Sequence, residues 1–345
     1  MDFLKKSMDY CSAGVNIAAG EAAVKAIKNK VRSTYNKNVL SEIGSFGGLY
    51  KLDKQSWQNP VLVSSTDGVG TKLLVAIMAN EYSSIGQDLV NHCVNDILVQ
   101  GAKPQFFLDY ISMGKLEPAI VEIMIEGMIV ACRQNSCALI GGELAEMPDL
   151  YKDREFDLAG TILGIVEQEQ ILPRSEIKPG DQLISLPSSG LHTNGYSLAR
   201  KIIFTQQKLS LESYLTECQA TIGELLLSIH RSYFPLLESY LTCPDLKGLA
   251  HITGGGIAGN LKRILPENIG ARITLKKEDI PTFFHWLQHI GKLSDTTMRE
   301  TFNLGTGMLC VVENSSIDKY LTIEGARWVG EIVARNQLID KVEFI

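Results

Sequence analysis

Pro60-Val61-Leu62-Val63-Ser64-Ser65-Thr66 runs directly into Asp67-Gly68-Val69-Gly70-Thr71-Lys72-Leu73. The first stretch is apolar and rich in β-branched residues, at the length of one buried strand, and the second is a glycine-rich turn. Two glycines let backbone N–H groups approach a ligand. Thr71 and Lys72 add a hydroxyl and a cation, as a phosphate cradle requires. Asp67 adds a hard oxygen suited to magnesium. The spacing is not that of a P-loop, which has four residues between its first glycine and its Gly-Lys pair. A tight turn with a solvated lysine is the competing reading.

Upstream of this strand, Ala13 to Gly20 has no polar/apolar period but leads into a helix predicted from about Glu21 to Tyr35. A second glycine cluster follows at Gly44-Ser45-Phe46-Gly47-Gly48. Downstream, the pattern predicts a helix over 85–101, a strand over 104–113 and an apolar helix over 117–135. A short strand at Cys137–Ile140 is expected to stop at Gly141-Gly142, and another strand covers 157–166. The polar run Glu167-Gln168-Glu169-Gln170, then Pro173, Pro179 and Gly180, mark a boundary. We therefore expect an N-terminal domain over 1–170 and a C-terminal domain over 171–345. Strands and helices mix in both without a regular βαβ alternation, which points to α+β domains.

The chain has 345 residues, 45% apolar and 21% charged, with a net charge of −6. Lys and Arg are scattered, which argues against a nucleic-acid or membrane-surface protein. Met1 to Lys6 is not followed by an apolar core, so no secretory leader is expected. The seven cysteines are dispersed without a C-x-x-C pair, consistent with free thiols in the cytoplasm and against a structural zinc site.

Asp88, His92, Asn95 and Asp96 fall along one helical face whose flanks are apolar. Buried carboxylates there need a partner, and a metal–nucleotide is one. A solvated face is the alternative. Gly141-Gly142-Glu143 permits a sharp turn or a close ligand approach. In the second half, Ser188 to Ser197 packs hydroxyls, His192 and Asn194 around Gly190 and Gly195. Thr253-Gly254-Gly255-Gly256 precedes a helix expected over 257–264. Both loops suit anionic or amide groups, with ligand-free capped loops as the alternative. His230, His285 and His289 read as structural residues of amphipathic helices.

In order along the chain, these motifs resemble those of the aminoimidazole ribonucleotide synthetase (phosphoribosylformylglycinamidine cyclo-ligase) family. The matching stretches are Tyr10-x-x-Ala13-Gly14-Val15, Ser65 to Leu73, Cys93 to Ile97 and Gly101 to Tyr110. Gly141 to Pro148, Ser189 to Leu198, Thr253 to Gly256 and Thr301 to Met308 complete them. The resemblance implies two α+β domains, the first domains pairing into a β-barrel across a homodimer. It implies ATP-dependent closure of formylglycinamidine ribonucleotide to 5-aminoimidazole ribonucleotide in purine biosynthesis.

Carried onto this chain, the nucleotide would meet Asp67, Gly68, Gly70, Thr71, Lys72, Asp96, Gly141, Gly142 and Glu143. Asp67 and Asp96 would hold Mg²⁺. The ribonucleotide would meet Ser189, Gly190, His192, Asn194, Gly195 and Thr253 to Gly256. Lys72 would neutralise the transferring phosphoryl, and His192 would orient the amidine or take its proton. Ser12, Asn16 and Ala18 depart from the acidic character of relatives, which leaves that segment without an assigned role. Within the superfamily, selenophosphate synthetase and thiamine-phosphate kinase are the alternatives. From another class, a non-catalytic nucleotide-binding partner is opposed by the intact Asp67, Lys72, Asp96 and Glu143.

Overall fold

The computed structural model describes residues 9–53 and 55–345, so the Met1–Lys6 stretch considered above lies outside the described residues. Helix α1 (Ile17–Val31) starts where the Asn16 side chain accepts the Ala19 N–H, satisfying one of the unpaired donors of its first turn. It leads to the first sheet, β1 (Pro60–Gly68), β2 (Lys103–Met113), β3 (Ala138–Glu146) and β4 (Phe156–Glu167), in the order β1-β4-β2-β3. Between β1 and β2 run α2 (Leu73–Ala79) and α3 (Ser83–Leu98). The crossover from β2 to its parallel neighbour β3 is α4 (Pro118–Gln134), which has proline in its first turn.

Helices α3 and α4 cross closely because both are glycine at the contact. A Cβ on Gly86 would lie 2.1 Å from the Met124 carbonyl oxygen, and one on Gly127 2.1 Å from that of Ser83. Together they cover one face of the sheet. On the other face β1 and β4 alternate in burial, and Leu62 is 61% exposed. The glycine pair 141–142 differs from expectation, since β3 runs through it to Glu146.

The second sheet has the order β12-β9-β11-β5-β10-β8. Its strands are β5 (Gln182–Pro187), β8 (Leu246–His251), β9 (Ile269–Ile273), β10 (Thr306–Val312), β11 (Arg327–Ala334) and β12 (Val342–Phe344). A two-residue hairpin, β6 (Tyr214–Leu215) and β7 (Ala220–Thr221), stands apart. The helices are α5 (Tyr196–Arg200), α6 (Ile222–Leu227), α7 (Phe234–Leu237), α8 (Gly256–Leu261), α9 (Thr282–Gly291), α10 (Asp295–Thr301) and α11 (Ile317–Leu321). Thus α8 ends three residues sooner than expected.

The two halves do not keep separate cores. One apolar cluster runs from Leu89, Val94 and Phe107 of the first sheet layer to Leu186, Tyr233, Phe234 and Met308 of the second. No described helix is long and apolar enough to cross a membrane, and all seven cysteines are free.

Candidate active site

A cleft of about 680 Å³ opens between the halves. The first half lends it Asp67 from the end of β1 and His92 and Asp96 from α3. The second lends His251 from the end of β8, then Thr253 and Arg263. Two elements 150 residues apart in sequence thus face each other across one space.

Behind the cleft, four of the six histidines stand together. His92 Nε2 is 2.8 Å from Asp67 Oδ2, and its Nδ1 is 2.7 Å from Thr193 Oγ1. Thr193 Oγ1 is 3.4 Å from His230 Nδ1, and His230 Nε2 is 3.0 Å from His251 Nε2. His251 Nδ1 is 2.9 Å from Asp96 Oδ1. The contacts form an unbroken line from one cleft carboxylate to the other. Three neutral imidazoles and one hydroxyl carry one proton too few to fill every contact. One extra proton completes the line, and of the three rings only His92 has its pKa raised. Burial would lower the His92 pKa, but the Asp67 hydrogen bond and the charges of Asp96, Asp67 and Asp88 outweigh that and raise it.

The sign of the pH effect follows. A histidine whose pKa is raised by folding stabilises the chain below its unfolded value and loses that contribution as pH rises through the folded one. The metal-free chain is therefore expected to lose stability as pH rises from about 6.5 through the raised value. Thermal melts across that window check it. His92→Gln should flatten the slope, and an unchanged slope would remove His92 from the account.

Asp67 and Asp96 are both held below the usual carboxylate range. Burial pushes each up, but His92 beside Asp67 and His251 beside Asp96 more than reverse it. Their side chains are 45% and 25% exposed, so both stay open to a ligand. Ring nitrogens of His92, His230 and His251 also lie within 4.8 Å of one another. Each has a hydrogen-bond partner already, so the hydrogen-bonded reading accounts for them without a metal.

Other expected residues lie elsewhere. Lys72 is fully buried, its Nζ 2.6 Å from Asp88 Oδ2 and donating to the Ser228 carbonyl at 2.7 Å. Burial draws both Lys72 and Asp88 toward their neutral forms, and each one's charge opposes the shift in the other. The expectation that Lys72 meets a phosphoryl group is corrected: its ammonium is turned into the protein. Thr71 contacts Ser197 Oγ at 3.0 Å, and the Gly68–Gly70 turn faces the Thr193 loop.

His192 is corrected as well. It is buried with a left-handed backbone (φ +60°), and its ring stacks on His230 at 4.0 Å. Its Nε2 accepts the Ser189 N–H at 3.2 Å. Burial, then the charges of His251 and Lys72, pushes its pKa well down. A titrating base open to substrate is not what this ring is. Gly190 accepts from Asn303 through its carbonyl, and Gly195 packs on Phe302. Asn194 does meet the second loop, its Oδ1 3.3 Å from where a Gly254 Cβ would stand. That loop, Thr253–Gly256, is braced by Asn260, whose Nδ2 donates to Gly256 O at 2.8 Å.

Gly141, Gly142 and Glu143 line a separate hollow of about 330 Å³ with α1, the Gly44–Ser45 turn and Asp109. Burial pushes Asp109 up to about 7. Gly142 leaves room for it, since a Cβ there would lie 2.3 Å from Asp109 Oδ1. In register, Gly142 pairs with Asp109, Asp109 with Gly160, and Gly160 with Asp67. At about 4.8 Å per strand, the hollow sits some 14 Å from Asp67.

Sequence reading missed His251, His230 and Arg263. His230 lies in no helix; Pro235, at the start of α7, was the available sign that helix does not run through 228–233.

Residues 51–166 match the family model described as AIR synthase related protein, N-terminal domain, and residues 178–342 match its C-terminal domain. A protein of Alkaliphilus oremlandii called phosphoribosylformylglycinamidine cyclo-ligase is 45% identical over 94% of this chain and 96% of its own length. One of the same name from Trichlorobacter lovleyi is 46% identical over 96% of this chain and 97% of its own.

The chain belongs to the AIR synthase family of phosphoribosylformylglycinamidine cyclo-ligases.

Solved structures extend the likeness beyond the AIR synthase family. Thiamine-monophosphate kinase from Stenotrophomonas maltophilia superposes with a TM-score of 0.68 at 19% identity, over 92% of this chain and 95% of that one. Hydrogenase maturation protein HypE in complex with ATP gives 0.64 at 17%, over 94% and 90%. At such identities the likeness shows the fold alone.

Proposed function

We propose that the chain closes formylglycinamidine ribonucleotide to 5-aminoimidazole ribonucleotide, using ATP and releasing ADP and phosphate. The observation that carries this reading is the cleft itself. It joins the Asp67–Asp96 carboxylate pair to the Thr253 loop in a chain that matches named cyclo-ligases over 94% and 96% of its length. ATP use is supported by the ATP complex of the structural relative HypE.

An amide oxygen leaves poorly until it is phosphorylated. Transfer of the γ-phosphoryl to the formyl oxygen makes an iminophosphate, the ribosyl-bearing amidine nitrogen attacks that carbon, and phosphate departs. Asp67 and Asp96 fit Mg²⁺: two hard oxygens, ionised and solvent-facing, with open space beyond for water and phosphate oxygens. Bound there, the ion would neutralise charge on the phosphates. The rest falls to the chain. Arg263 and the Thr253–Gly256 loop, braced by Asn260, hold the ribonucleotide phosphate, Asn194 meets an amide, and enclosure between the halves aligns nitrogen with carbon. The hollow at Gly141–Glu143 is too far from Asp67 to serve the same phosphates, and we assign it to the base and ribose of ATP.

Formation of aminoimidazole ribonucleotide by the purified chain tests the reading. ATP turnover that ignores formylglycinamidine ribonucleotide but follows thiamine phosphate or selenide would favour the other superfamily members. Arg263→Ala should raise the KM for the ribonucleotide about tenfold or more, the effect of losing a charged hydrogen bond, and leave that for ATP nearly unchanged. Equal effects on both would dissociate Arg263 from the substrate phosphate.

We also place the enzyme in the cytoplasm as a homodimer. The open face of the first sheet supports the dimer: Leu62 is 61% and Tyr110 38% exposed on strands otherwise suited to burial. Light scattering at micromolar concentration should give twice the chain mass, and a monomer would contradict it.

A further inference from the structure

Residues 228–233 join α6 to α7 in neither helix nor strand; His230 and Tyr233 are buried, Ser228, Arg231 and Ser232 half-buried, and Ile229 exposed. Their backbone groups are met by side chains of the other half of the molecule. Lys72 Nζ donates to Ser228 O at 2.7 Å. Asp88 Oδ1 accepts the His230 N–H at 2.7 Å, and Asn91 Nδ2 donates to His230 O at 2.8 Å. Asn95 takes both sides of the next pair, donating to Arg231 O at 2.9 Å and accepting the Tyr233 N–H at 2.9 Å. Asp88, Asn91 and Asn95 lie three and four residues apart, so they form one stripe on α3. Asn135, the C-cap residue just after α4, braces Asn91 at 2.9 Å and accepts from the Ser232 hydroxyl.

Where a connecting segment without secondary structure turns residues such as His230 and Tyr233 into the core, their amides must find partners elsewhere. Here a helix face supplies them, which fixes the segment in position along α3 as well as in depth. At its centre stands His230, whose ring is pressed between His192 and His251. The same α3 carries Asp96, the carboxylate that His251 holds.

We propose that Lys72, Asp88, Asn91 and Asn95 are positioning residues of the reaction. They clamp the 228–233 strap of the second half onto α3 of the first. The clamp sets His230 against His251, and His251 in turn aims the Asp96 carboxylate into the cleft. Lys72 therefore works through the strap and touches no substrate. The catalytic part of this inference rests on the cyclo-ligase reading; the clamp itself does not.

Asn91→Ala tests it. That change removes one strap hydrogen bond at a residue that reaches neither the cleft nor its carboxylates. Two readouts are taken. In ¹⁵N spectra of the imidazoles of the metal-free chain, the signals of His230 and His251 should move while those of His285 and His289 stay in place. In the assay, kcat should fall about 10- to 10²-fold, the scale of a misplaced group, with both KM values nearly unchanged. Asn91→Gln, which keeps the donor, should recover part of kcat. Unmoved ring signals would overturn the clamp. A fall in kcat that simply follows the fall in Tm, without recovery in Asn91→Gln, would overturn its catalytic role. Should Asn91→Ala not fold, Ser232→Ala removes the Asn135 link, together with a long 3.4 Å contact from the Phe234 N–H, and is read in the same way. A wild-type chain that makes no aminoimidazole ribonucleotide refutes the reaction, while the ring spectra still decide the clamp.

Discussion

Asp67→Asn and Asp96→Asn should each lower kcat by at least about 10²-fold in a chain that remains folded, the scale expected when one preorganised charge is removed from a transition state. The amide keeps the size of the carboxylate but supplies neither the charge nor the second acceptor. Asp67 would then lose its ionic contact to His92, and Asp96 its contact to His251, both under 3 Å. Neither acid is deep in the core, so the fold should survive, which circular dichroism and thermal melts can verify. Product formation at saturating ATP and Mg²⁺ is the deciding measurement. Turnover near the wild-type rate in both variants would show that the cleft is not where the phosphoryl group moves.

The largest stability effect is expected at Gly256. Its backbone is left-handed (φ +63°), and a Cβ would lie 1.8 Å from the Arg299 carbonyl oxygen. Left-handed strain of about 1–2 kcal/mol adds to an overpacking cost of about 1–3 kcal/mol, so Gly256→Ala should lower stability by about 2–5 kcal/mol. Two positions earlier the same substitution behaves differently. At Gly254 a Cβ would meet only Asn194 Oδ1, at 3.3 Å, on an unstrained backbone. Gly254→Ala should therefore melt close to wild type but raise the KM for the ribonucleotide. Equal losses of Tm in the two variants would show that the loop is uniformly structural.

Much of the first half could be read from sequence because its signals are local. The strand before Asp67, the helix carrying Asp96 and the crossover helix each show their own period and punctuation. The stripe of Asp88, His92, Asn95 and Asp96 was visible as a polar face on an apolar helix, with the right question attached: what partner lets it be buried? The partner was not legible. For Asp88 and Asn95 it is the backbone of residues 228–233, and a backbone offers the same donors and acceptors whatever its sequence. Lys72 misled for a related reason. A lysine in a glycine-rich turn looks alike whether it faces a phosphate or a buried aspartate 16 residues away. His192 and His251 show the same limit. Their burial and tilt are set by contacts with His230 and Asp96, which only the assembled fold brings together.

The strap and the shared apolar cluster also bear on how the molecule comes apart. Separating the halves as rigid bodies would strip Asp88, Asn91 and Asn95 of their partners and open the apolar layer between Leu89 and Tyr233. Such an opening exposes buried polar groups and buried hydrocarbon at once, so its free energy approaches that of unfolding either half. Two architectural domains then amount to one cooperative unit: calorimetry would record a single heat-absorption peak, and breathing motions large enough to admit substrate must come from the rim of the cleft and not from a hinge between the halves.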